Sequence, residues 1–323
     1  MSRPDSDGES TGGEPATGEP PARVLLVINP RSGSGNGRRA GELARQALSD
    51  HRLTVLHTRA EDPVAQVRAV LDGTDDTYDA LVVAGGDGMV HLGANLVAGT
   101  VLPLGIVPAG TGNDIAREFG VPVGDPAAAI ETVRQGLARG SVRAVDAVRW
   151  STADRSGWYL GVLAAGLDAI VNERANRWTW LRGRIRYDIA TLRELAVMST
   201  RRYRLEIDGR TTEQESVLVA VGNIAAYGGG LRICHGADPD DGLLDVLIGE
   251  RMGRATLLGL YRKLPHGGHL AHPGVRLVQG RSVRIEADGI VAYADGERLD
   301  ALPITCSVVP GAVRLLVAPH LPA

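Results

Sequence analysis

Two glycine-rich segments constrain the fold of this chain most strongly: residues 85–88 (Gly-Gly-Asp-Gly) and residues 110–114 (Gly-Thr-Gly-Asn-Asp). Each follows a short apolar run, at residues 80–84 and 104–107, and each precedes a stretch with helical patterning. A strand that ends in glycines and leads into a helix lets backbone N–H groups and the positive end of the helix dipole approach an anion. The pattern therefore predicts two phosphate-binding loops on neighbouring strands, and a nucleotide-using enzyme.

The residues around these loops alternate between strand and helix patterns. Short, continuously apolar strands separated by helices are typical of a parallel sheet that is covered on both faces. We expect a nucleotide-binding α/β domain over residues 22–146, with a doubly wound, Rossmann-like parallel sheet. Ligands bind such sheets at the carboxyl ends of the strands, where the glycine loops fall. The further predicted elements are strands at 24–28 and 53–57 and helices at 39–48 and 63–71.

The pattern changes after residue 146. Strand-like runs follow one another with little helix between them, and Asp-Gly pairs mark tight turns at their ends. We expect an antiparallel β-sandwich that forms a substrate domain over residues 147–323, with its last segment packing back on the first domain. The runs are 204–207, 216–222, 243–248, 283–287 and 304–308, and helices are expected at 185–198 and 255–263.

Composition excludes several classes of protein. The net charge of −3 gives no global positive field, so we expect no nucleic-acid partner. No run reaches the roughly 18 apolar residues that a membrane span needs, so we expect no transmembrane segment. Residues 1–21 are rich in Gly, Glu, Pro, Ser and Thr and predict a disordered tail rather than a secretion signal. The two cysteines lie far apart, which suits a reducing, cytoplasmic location.

Familiar phosphate-binding motifs are missing. A Walker A motif needs Gly-Lys-Ser/Thr, but the only lysine, Lys263, is followed by Leu264. The chain also lacks the His-Arg-Asp loop of protein kinases. Gly33-x-Gly35-x-Gly37 follows the first strand, but its spacing departs from a dinucleotide fingerprint. An oxidoreductase is therefore a minor alternative.

An ordered set of segments resembles the diacylglycerol kinase catalytic domain, a family that includes sphingosine kinases, ceramide kinases and bacterial lipid kinases. The resemblance covers residues 23–317. Three segments carry it in the first domain: residues 29–33 (Asn-Pro-Arg-Ser-Gly), 85–88 and 110–114. Four more follow in the family's order at residues 166–169, 227–230, 241–245 and 295–297.

The resemblance implies a kinase that uses ATP and Mg²⁺ to phosphorylate a lipid hydroxyl at a membrane surface, with diacylglycerol as the expected acceptor and phosphatidic acid as the product. Two alternatives stay open: a kinase of another lipid such as a sphingoid base, and a non-catalytic homologue that binds nucleotide or lipid. An NAD kinase is disfavoured because that family does not share segments 227–230 and 241–245. The oligomeric state stays open, and a homodimer is one possibility.

The resemblance also assigns residues. Glu297 is the expected general base, Asp87 the expected partner of magnesium or of the transferred phosphoryl group, and Asp295 belongs with them as a catalytic candidate. A structural magnesium site is expected at Asp241, with backbone oxygens near Asp238 and Leu243. The expected nucleotide and phosphate contacts are Asn29, Pro30, Arg31, Ser32, Gly33, Thr58, Gly86, Gly88, Met89, Thr111, Gly112 and Asn113.

The residues alone leave other interpretations open. Asp87 could equally cap the helix that follows it. Without the resemblance, Asp295-Gly296 is interpreted first as a hairpin turn, with Glu297 a solvated strand residue. Asp241-Gly242 is likewise interpreted first as a turn.

Three positions directly after segment 85–88 depart from the family's pattern. The family usually has a hydroxyl residue, Asn and Glu where this chain has Met89, His91 and Leu92. The missing hydroxyl removes a phosphate hydrogen bond worth ~1–2 kcal/mol. His91 could replace the hydroxyl as a donor to phosphate, but we expect it to face solvent on a helix.

Histidines elsewhere are interpreted as structural. His235 stands where the family commonly has proline. We expect His266, His269 and His272 to lie in a loop rather than in a metal site, because no carboxylate or thiolate lies near them in sequence.

Residues 174–187 combine five arginines with Trp178, Trp180 and Leu181. Arginine beside tryptophan suits peripheral contact with anionic lipid headgroups. The same composition also fits a nucleic-acid patch or a packed helix corner with partly buried arginine stems.

Overall fold

The computed structural model describes residues 21–58, 62–73, 77–166 and 200–318. Residues 1–20 of the predicted tail, the arginine and tryptophan segment 174–187 and the predicted helix 185–198 lie outside these residues.

The first part of the chain forms the predicted parallel sheet. Its strands lie in the order β4-β3-β1-β2, and every pair is parallel. Alternate residues of β1 face two different core clusters, with Leu25 in one and Leu26 in the other, so both faces of the sheet are covered. The strands are β1 (Arg23–Ile28), β2 (Arg52–His57), β3 (Ala80–Gly85) and β4 (Leu104–Pro108).

Five helices accompany these strands. Two of them begin with proline and are capped by an aspartate: Asp62 accepts a hydrogen bond from Ala65 N, and Asp125 accepts from Ala127 N and Ala128 N. The helices are α1 (Asn36–Ala47), α2 (Pro63–Asp72), α3 (Asp87–Val97), α4 (Asp114–Glu118) and α5 (Pro126–Arg139).

The second part is antiparallel and β-rich, as the sequence predicts. Two of its turns, at Asp208-Gly209 and Asp295-Gly296, place the aspartate in the left-handed region, with φ of 47° and 54°. The elements are β5 (Val142–Ser151), β6 (Ser156–Tyr159), β7 (Val162–Gly166), β8 (Arg201–Ile207), β9 (Arg210–Gly222), β10 (Leu244–Glu250), α6 (Arg254–Tyr261), β11 (Val275–Gly280), β12 (Ser282–Glu286), β13 (Val291–Ala294), β14 (Glu297–Ala301) and β15 (Ile304–Leu316).

The last strand joins the two parts. β15 pairs with β5 in antiparallel fashion along both strands, and its Leu315 pairs in parallel with Leu104 of β4. Both sides of the expected domain boundary, Asp146 and Ala147, lie inside β5. Asp146 is buried and accepts hydrogen bonds from Gly242 N and Gly311 N. A continuous sheet and a buried carboxylate therefore connect the first, parallel part of the chain to the β-rich part.

Candidate active site

The loops after β1, β3 and β4 touch each other backbone to backbone. A Cβ at Gly110 would collide with the Cα of Gly86, and one at Gly33 would collide with the carbonyl oxygen of Ala109. Gly33 also has φ of 54°, a conformation that favours glycine. The glycines are therefore required for the loops to converge at the carboxyl edge of the sheet.

The predicted nucleotide residues of the first loop lie in one turn. Asn29 Oδ1 accepts a hydrogen bond from Arg31 N at 3.0 Å, and Ser32 N donates to the Asn29 carbonyl oxygen at 3.2 Å. Pro30 lies within this turn, and Arg31 is exposed. Thr58 follows the adjacent strand, and its backbone N–H donates to the carbonyl oxygen of Ile28 at 2.9 Å. The structure thus brings Thr58 beside the first loop.

Asn113 holds the third loop in shape. Its side chain accepts from Gly110 N and donates to the Gly110 carbonyl oxygen, both at 2.9 Å. Asn113 is buried and adopts φ of 56°. Thr111 is exposed and Gly112 is half-buried. Asn113 therefore supports the loop, while Thr111 and Gly112 are the members that a ligand can reach.

Asp87 begins α3 and connects the second loop to the third. Its Oδ1 accepts a hydrogen bond from Ile115 N at 3.0 Å, and a Cβ at Gly112 would lie 2.9 Å from its Oδ2. Burial raises the pKa of Asp87 to about 6, and the charges of Asp114 and Asp295 add to the rise. The backbone hydrogen bond from Ile115 lowers the pKa and offsets part of this rise. The raised pKa brings the ionisation of Asp87 to about pH 6.

Glu297 faces the same end of α3 from the β-rich part. It is the exposed first residue of β14, and a Cβ at Gly88 would lie 2.6 Å from its Oε1. The structure therefore brings Asp87, Gly88 and Glu297 together, although Asp87 and Glu297 are far apart in sequence. The two carboxylates flank the N-terminus of α3.

Asp295 is held by backbone donors. Its side chain is fully buried, Oδ1 accepts from Gly161 N at 2.8 Å, and Oδ2 accepts from Leu160 N at 3.1 Å. Asp295 thereby fixes the turn that precedes Glu297, so its contacts are those of a supporting residue.

His91 does not face solvent, and that expectation is wrong. Its Nδ1 lies 3.0 Å from Asp295 Oδ2, and its side chain is 13% exposed. The reason is the packing of the β13–β14 turn against α3, which covers the helix face that the sequence leaves open.

Met89 and Leu92 point into the core. They are 4% and 3% exposed, and a Cβ at Gly85 would lie 2.9 Å from Cβ of Met89. Met89 N donates to the Gly86 carbonyl oxygen at 2.9 Å. The side chains that depart from the family's pattern at these two positions therefore pack beneath the second loop, and Gly86 and Gly88 remain its accessible members.

Asp114 is a site residue that the sequence analysis missed. It is buried, its Oδ2 accepts from Gly229 N at 2.5 Å, and its Oδ1 accepts from Arg117 Nη1 at 2.7 Å. Arg117 also donates to the Gly112 carbonyl oxygen at 2.9 Å. Asp114 therefore ties segment 227–230 of the β-rich part to the third loop. Its place at the end of segment 110–114 was the available signal.

Comparison with known proteins identifies the family. Residues 23–150 match the family model described as the diacylglycerol kinase catalytic domain, and residues 161–317 match the YegS C-terminal NAD kinase beta sandwich-like domain. A Mycobacterium tuberculosis protein named diacylglycerol kinase is 38% identical over 304 residues, which cover 92% of this chain and 96% of the relative. The chain belongs to the diacylglycerol kinase catalytic-domain family.

Solved structures agree with this family. A crystal structure of a diacylglycerol kinase from Bacillus anthracis matches with a TM-score of 0.72 at 25% identity, covering 92% of this chain and 98% of that one. An NAD kinase from Archaeoglobus fulgidus in complex with ATP shares the fold, with a TM-score of 0.53 at 12% identity over 92% of this chain and 94% of its own. Family and relatives together support a kinase, and within kinases a lipid kinase. No helix in the described parts of the chain is long and apolar enough to cross a bilayer.

The family implies magnesium, and the Asp241 loop offers part of a site for it. Asp241 Oδ1 accepts from Leu243 N at 2.8 Å, and Asp241 N lies 3.5 Å from the Asp238 carbonyl oxygen. Beside them, Asp245 Oδ2 is buried without a hydrogen-bond partner. Burial raises the pKa of Asp245 and the charge of Asp241 adds to the rise, while a hydrogen bond from the Gln279 side chain lowers it. An orphaned carboxylate oxygen near a second carboxylate is the oxygen chemistry that Mg²⁺ binds.

The described residues nevertheless hold no cluster of three or more His, Cys, Asp or Glu side chains that could bind a metal. The Asp241 loop therefore fits magnesium only with backbone oxygens or water as further ligands.

The three grouped histidines lie in two short 3-10 helices, Leu264–His266 and Gly268–Ala271, and in the residue that follows them. His269 is buried, its Nε2 lies 2.9 Å from the Ile233 carbonyl oxygen, and burial lowers its pKa. His235 accepts a hydrogen bond at Nδ1 from Arg232 Nε at 3.1 Å. These contacts support the structural interpretation.

Proposed function

We propose that this protein is an ATP-dependent lipid kinase that transfers the γ-phosphate of ATP to the free hydroxyl of diacylglycerol, giving phosphatidic acid. One observation carries the proposal: the carboxylates of Asp87 and Glu297 flank the N-terminus of α3, where three glycine loops converge. Backbone N–H groups and a helix dipole suit the phosphates, and the carboxylates supply the groups that phosphoryl transfer needs.

Glu297 is the proposed general base. Its carboxylate is exposed, so an acceptor hydroxyl carried by a lipid can reach it from the surface. As the hydroxyl oxygen forms its bond to the γ-phosphorus, Glu297 accepts the hydroxyl proton, and the bond from the γ-phosphorus to the bridging β-oxygen breaks to release ADP. The contact between the Glu297 carboxylate and Gly88 supports a proton acceptor beside the proposed phosphate-binding loops.

Asp87 is the proposed anionic partner of the metal-bound phosphates. Its carboxylate is held by Ile115 N and lies against Gly112, so it points between the second and third loops. Magnesium, when bound, offsets the negative charge of the phosphates. We assign Asp87 to this catalytic metal and Asp241, with the carbonyl groups of Asp238 and Leu243, to a structural one.

The burial of Met89 and Leu92 favours a catalyst over a non-catalytic homologue. Both side chains pack into the core, so these substitutions leave the accessible backbone of the second loop and both carboxylates in place. A phosphate hydrogen bond is lost, at ~1–2 kcal/mol. A loss of that size slows a kinase by about tenfold and does not abolish it.

The experiment measures transfer of labelled γ-phosphate from ATP to diacylglycerol in mixed micelles. Wild type is compared with Glu297→Gln and Asp87→Asn, and with Glu286→Gln as a control, because Glu286 is paired with Arg284 on β12. We expect labelled phosphatidic acid from wild type and the control, and its loss in the two site variants while their unfolding stays cooperative.

Other outcomes separate the alternatives. Transfer to sphingosine or ceramide, and not to diacylglycerol, identifies a kinase of another lipid. Phosphorylation of NAD identifies the NAD kinase alternative. Binding of ATP without transfer to any of these acceptors, or to monoacylglycerol, identifies a non-catalytic homologue.

A further inference from the structure

We propose that His91 is a positioning residue, whose hydrogen bond to Asp295 docks the β13–β14 turn on α3 and thereby fixes Glu297 opposite Asp87. The proposal rests on the proposed function, because it takes Glu297 and Asp87 as the catalytic carboxylates. His91 does not contact the reacting atoms in this proposal and affects the reaction only by positioning Glu297.

The turn that carries Glu297 is shaped by Asp295 and Gly296. Both residues have positive φ, 54° and 84°, which closes the tight connection between β13 and β14. The Asp295 carboxylate accepts from Leu160 N and Gly161 N, both of which belong to the β-rich part. These two bonds hold the turn to its own domain and leave its position relative to α3 to other contacts.

His91 supplies the contact to α3. Its Nδ1 lies 3.0 Å from Asp295 Oδ2, an oxygen whose side chain has no exposed surface. Gly88, against which the Glu297 carboxylate lies, is three residues earlier and therefore on the same face of the helix. The turn thus contacts α3 at two positions one helical turn apart: Glu297 lies against Gly88, and Asp295 contacts His91.

Asn95 shows that this face of α3 has a second, independent attachment. Asn95 Nδ2 donates to the Trp158 carbonyl oxygen at 2.8 Å, and Asn95 Oδ1 accepts from Trp158 N at 2.9 Å. These bonds hold the helix to β6 without involving the turn. Loss of His91 should therefore leave the two parts of the protein docked while the turn alone loses its anchor.

A displaced turn has a kinetic consequence. Misplacing a reacting group by about 1 Å can lower the rate by about 100-fold, because the protein no longer holds the group in the reactive geometry before the reaction. Glu297 acts on the acceptor hydroxyl and not on the nucleotide, so the loss should appear in kcat and spare the KM for ATP.

Two variants separate positioning from proton transfer by the imidazole itself. His91→Ala removes the donor to Asp295. His91→Asn replaces it with an amide N–H that can donate to Asp295 but cannot accept a proton at neutral pH. The controls are His266→Ala, an exposed histidine far from α3 in sequence, and Asn95→Ala, which removes the other attachment.

We expect His91→Ala to lower kcat by about 10- to 100-fold with the KM for ATP changed by less than about twofold. His91→Asn should restore most of kcat, His266→Ala should match wild type, and Asn95→Ala should lower the melting temperature. Adding His91→Ala to Glu297→Gln should cause no further loss, because His91 acts through Glu297. Wild-type kcat in His91→Ala, or equal inactivity of His91→Ala and His91→Asn in folded protein, overturns the proposal.

Hydrogen exchange tests the docking without any need for activity. We expect faster exchange in residues 291–299 of His91→Ala, wild-type exchange in His91→Asn, and no change in His266→Ala. Unchanged exchange in His91→Ala overturns the docking role of His91. An inactive wild type, or an active Glu297→Gln, overturns the proposed function instead, so the two failures are distinguishable.

Discussion

Asp87 Oδ1 accepts a hydrogen bond from the backbone N–H of Ile115 at 3.0 Å, and this bond joins the loop after β3 to the helix after β4. The same carboxylate is largely removed from water and faces the charges of Asp114 and Asp295. One side chain therefore joins the loops after β3 and β4 and has a pKa that is raised to about 6. The first predictions follow from that combination.

Activity should depend on pH through Asp87. Its pKa is raised to about 6, chiefly by burial. If the ionised carboxylate is the working form, kcat/KM falls about tenfold for each pH unit below 6. A pH–rate profile from pH 5 to pH 8, with wild-type folding verified at each pH, checks this. A flat profile down to pH 5 contradicts it.

Replacing Asp87 should stabilise the protein while abolishing transfer. The folded pKa of about 6 exceeds the ordinary value of 3.8, so between these values the folded state holds a proton that the unfolded state has released. The contribution of Asp87 to the free energy of unfolding is therefore greatest at low pH and falls as the pH rises from 3.8 through about 6. At pH 7 the ionised group costs up to about 3 kcal/mol.

Urea unfolding of wild type and Asp87→Asn at pH 7 and pH 4 measures this cost. We expect the variant to be more stable at pH 7 and the difference to shrink towards pH 4. A variant that is less stable than wild type at pH 7 shows that the hydrogen bond from Ile115 outweighs the desolvation of the charge.

Asp114→Asn should shift the acid limb of the pH profile to lower pH. The negative charge of Asp114 contributes to the raised pKa of Asp87, so an uncharged side chain of the same shape lowers that pKa. Glu131→Gln, which removes one exposed negative charge on α5, is the matched control and should leave the limb in place. A limb that moves to higher pH would mean that Asp114 acts on Asp87 mainly through the loop that it holds.

The sequence predicts the parts of the fold that depend on local pattern. Strands β1, β3 and β4 are continuous apolar runs that lead into glycine-containing loops, so both their existence and their direction follow from residues close to one another. The helix predicted from residue 39 begins at Asn36, because Gly35 in a left-handed conformation ends the preceding 3-10 turn and allows an earlier start.

The supporting contacts of the site depend on residues far apart in the chain. His91 and Asp295 are separated by 204 residues, and Asp114 and Gly229 by 115. The residues around a histidine on an amphipathic helix do not reveal that a turn from a distant part of the chain covers it. The sequence therefore predicts which loop residues belong to the site, whereas the hydrogen-bonded pairs that orient them are found only from the tertiary structure.

Membrane contact should depend on the tryptophans of segment 174–187, which lies outside the described residues. Trp178→Ala combined with Trp180→Ala should reduce sedimentation with vesicles rich in anionic lipid, because indole rings and nearby arginines favour the headgroup region. Val101→Ala is a control, since Val101 is 75% exposed and lies elsewhere in the chain. Equal sedimentation of wild type and the double variant removes the membrane role of this segment.

Gly110→Ala should weaken nucleotide binding by separating two loops. An added Cβ would collide with the Cα of Gly86 and approach Asn113 Oδ1 to 2.9 Å, and backbone atoms cannot move aside as a flexible side chain can. The loops after β3 and β4 must therefore move apart, which alters the N–H groups that they present and costs about 1–3 kcal/mol of stability.

Gly259→Ala is the matched control for that substitution. Gly259 is an exposed residue of α6, and an added Cβ there meets nothing within 4 Å. Alanine in a helix interior is favoured over glycine by about 0.5–1 kcal/mol, so this variant should be more stable than wild type and bind ATP normally. Calorimetric titration with ATP and urea unfolding measure both effects. Normal ATP affinity in Gly110→Ala would show that the close approach of the two loops serves packing and not the nucleotide.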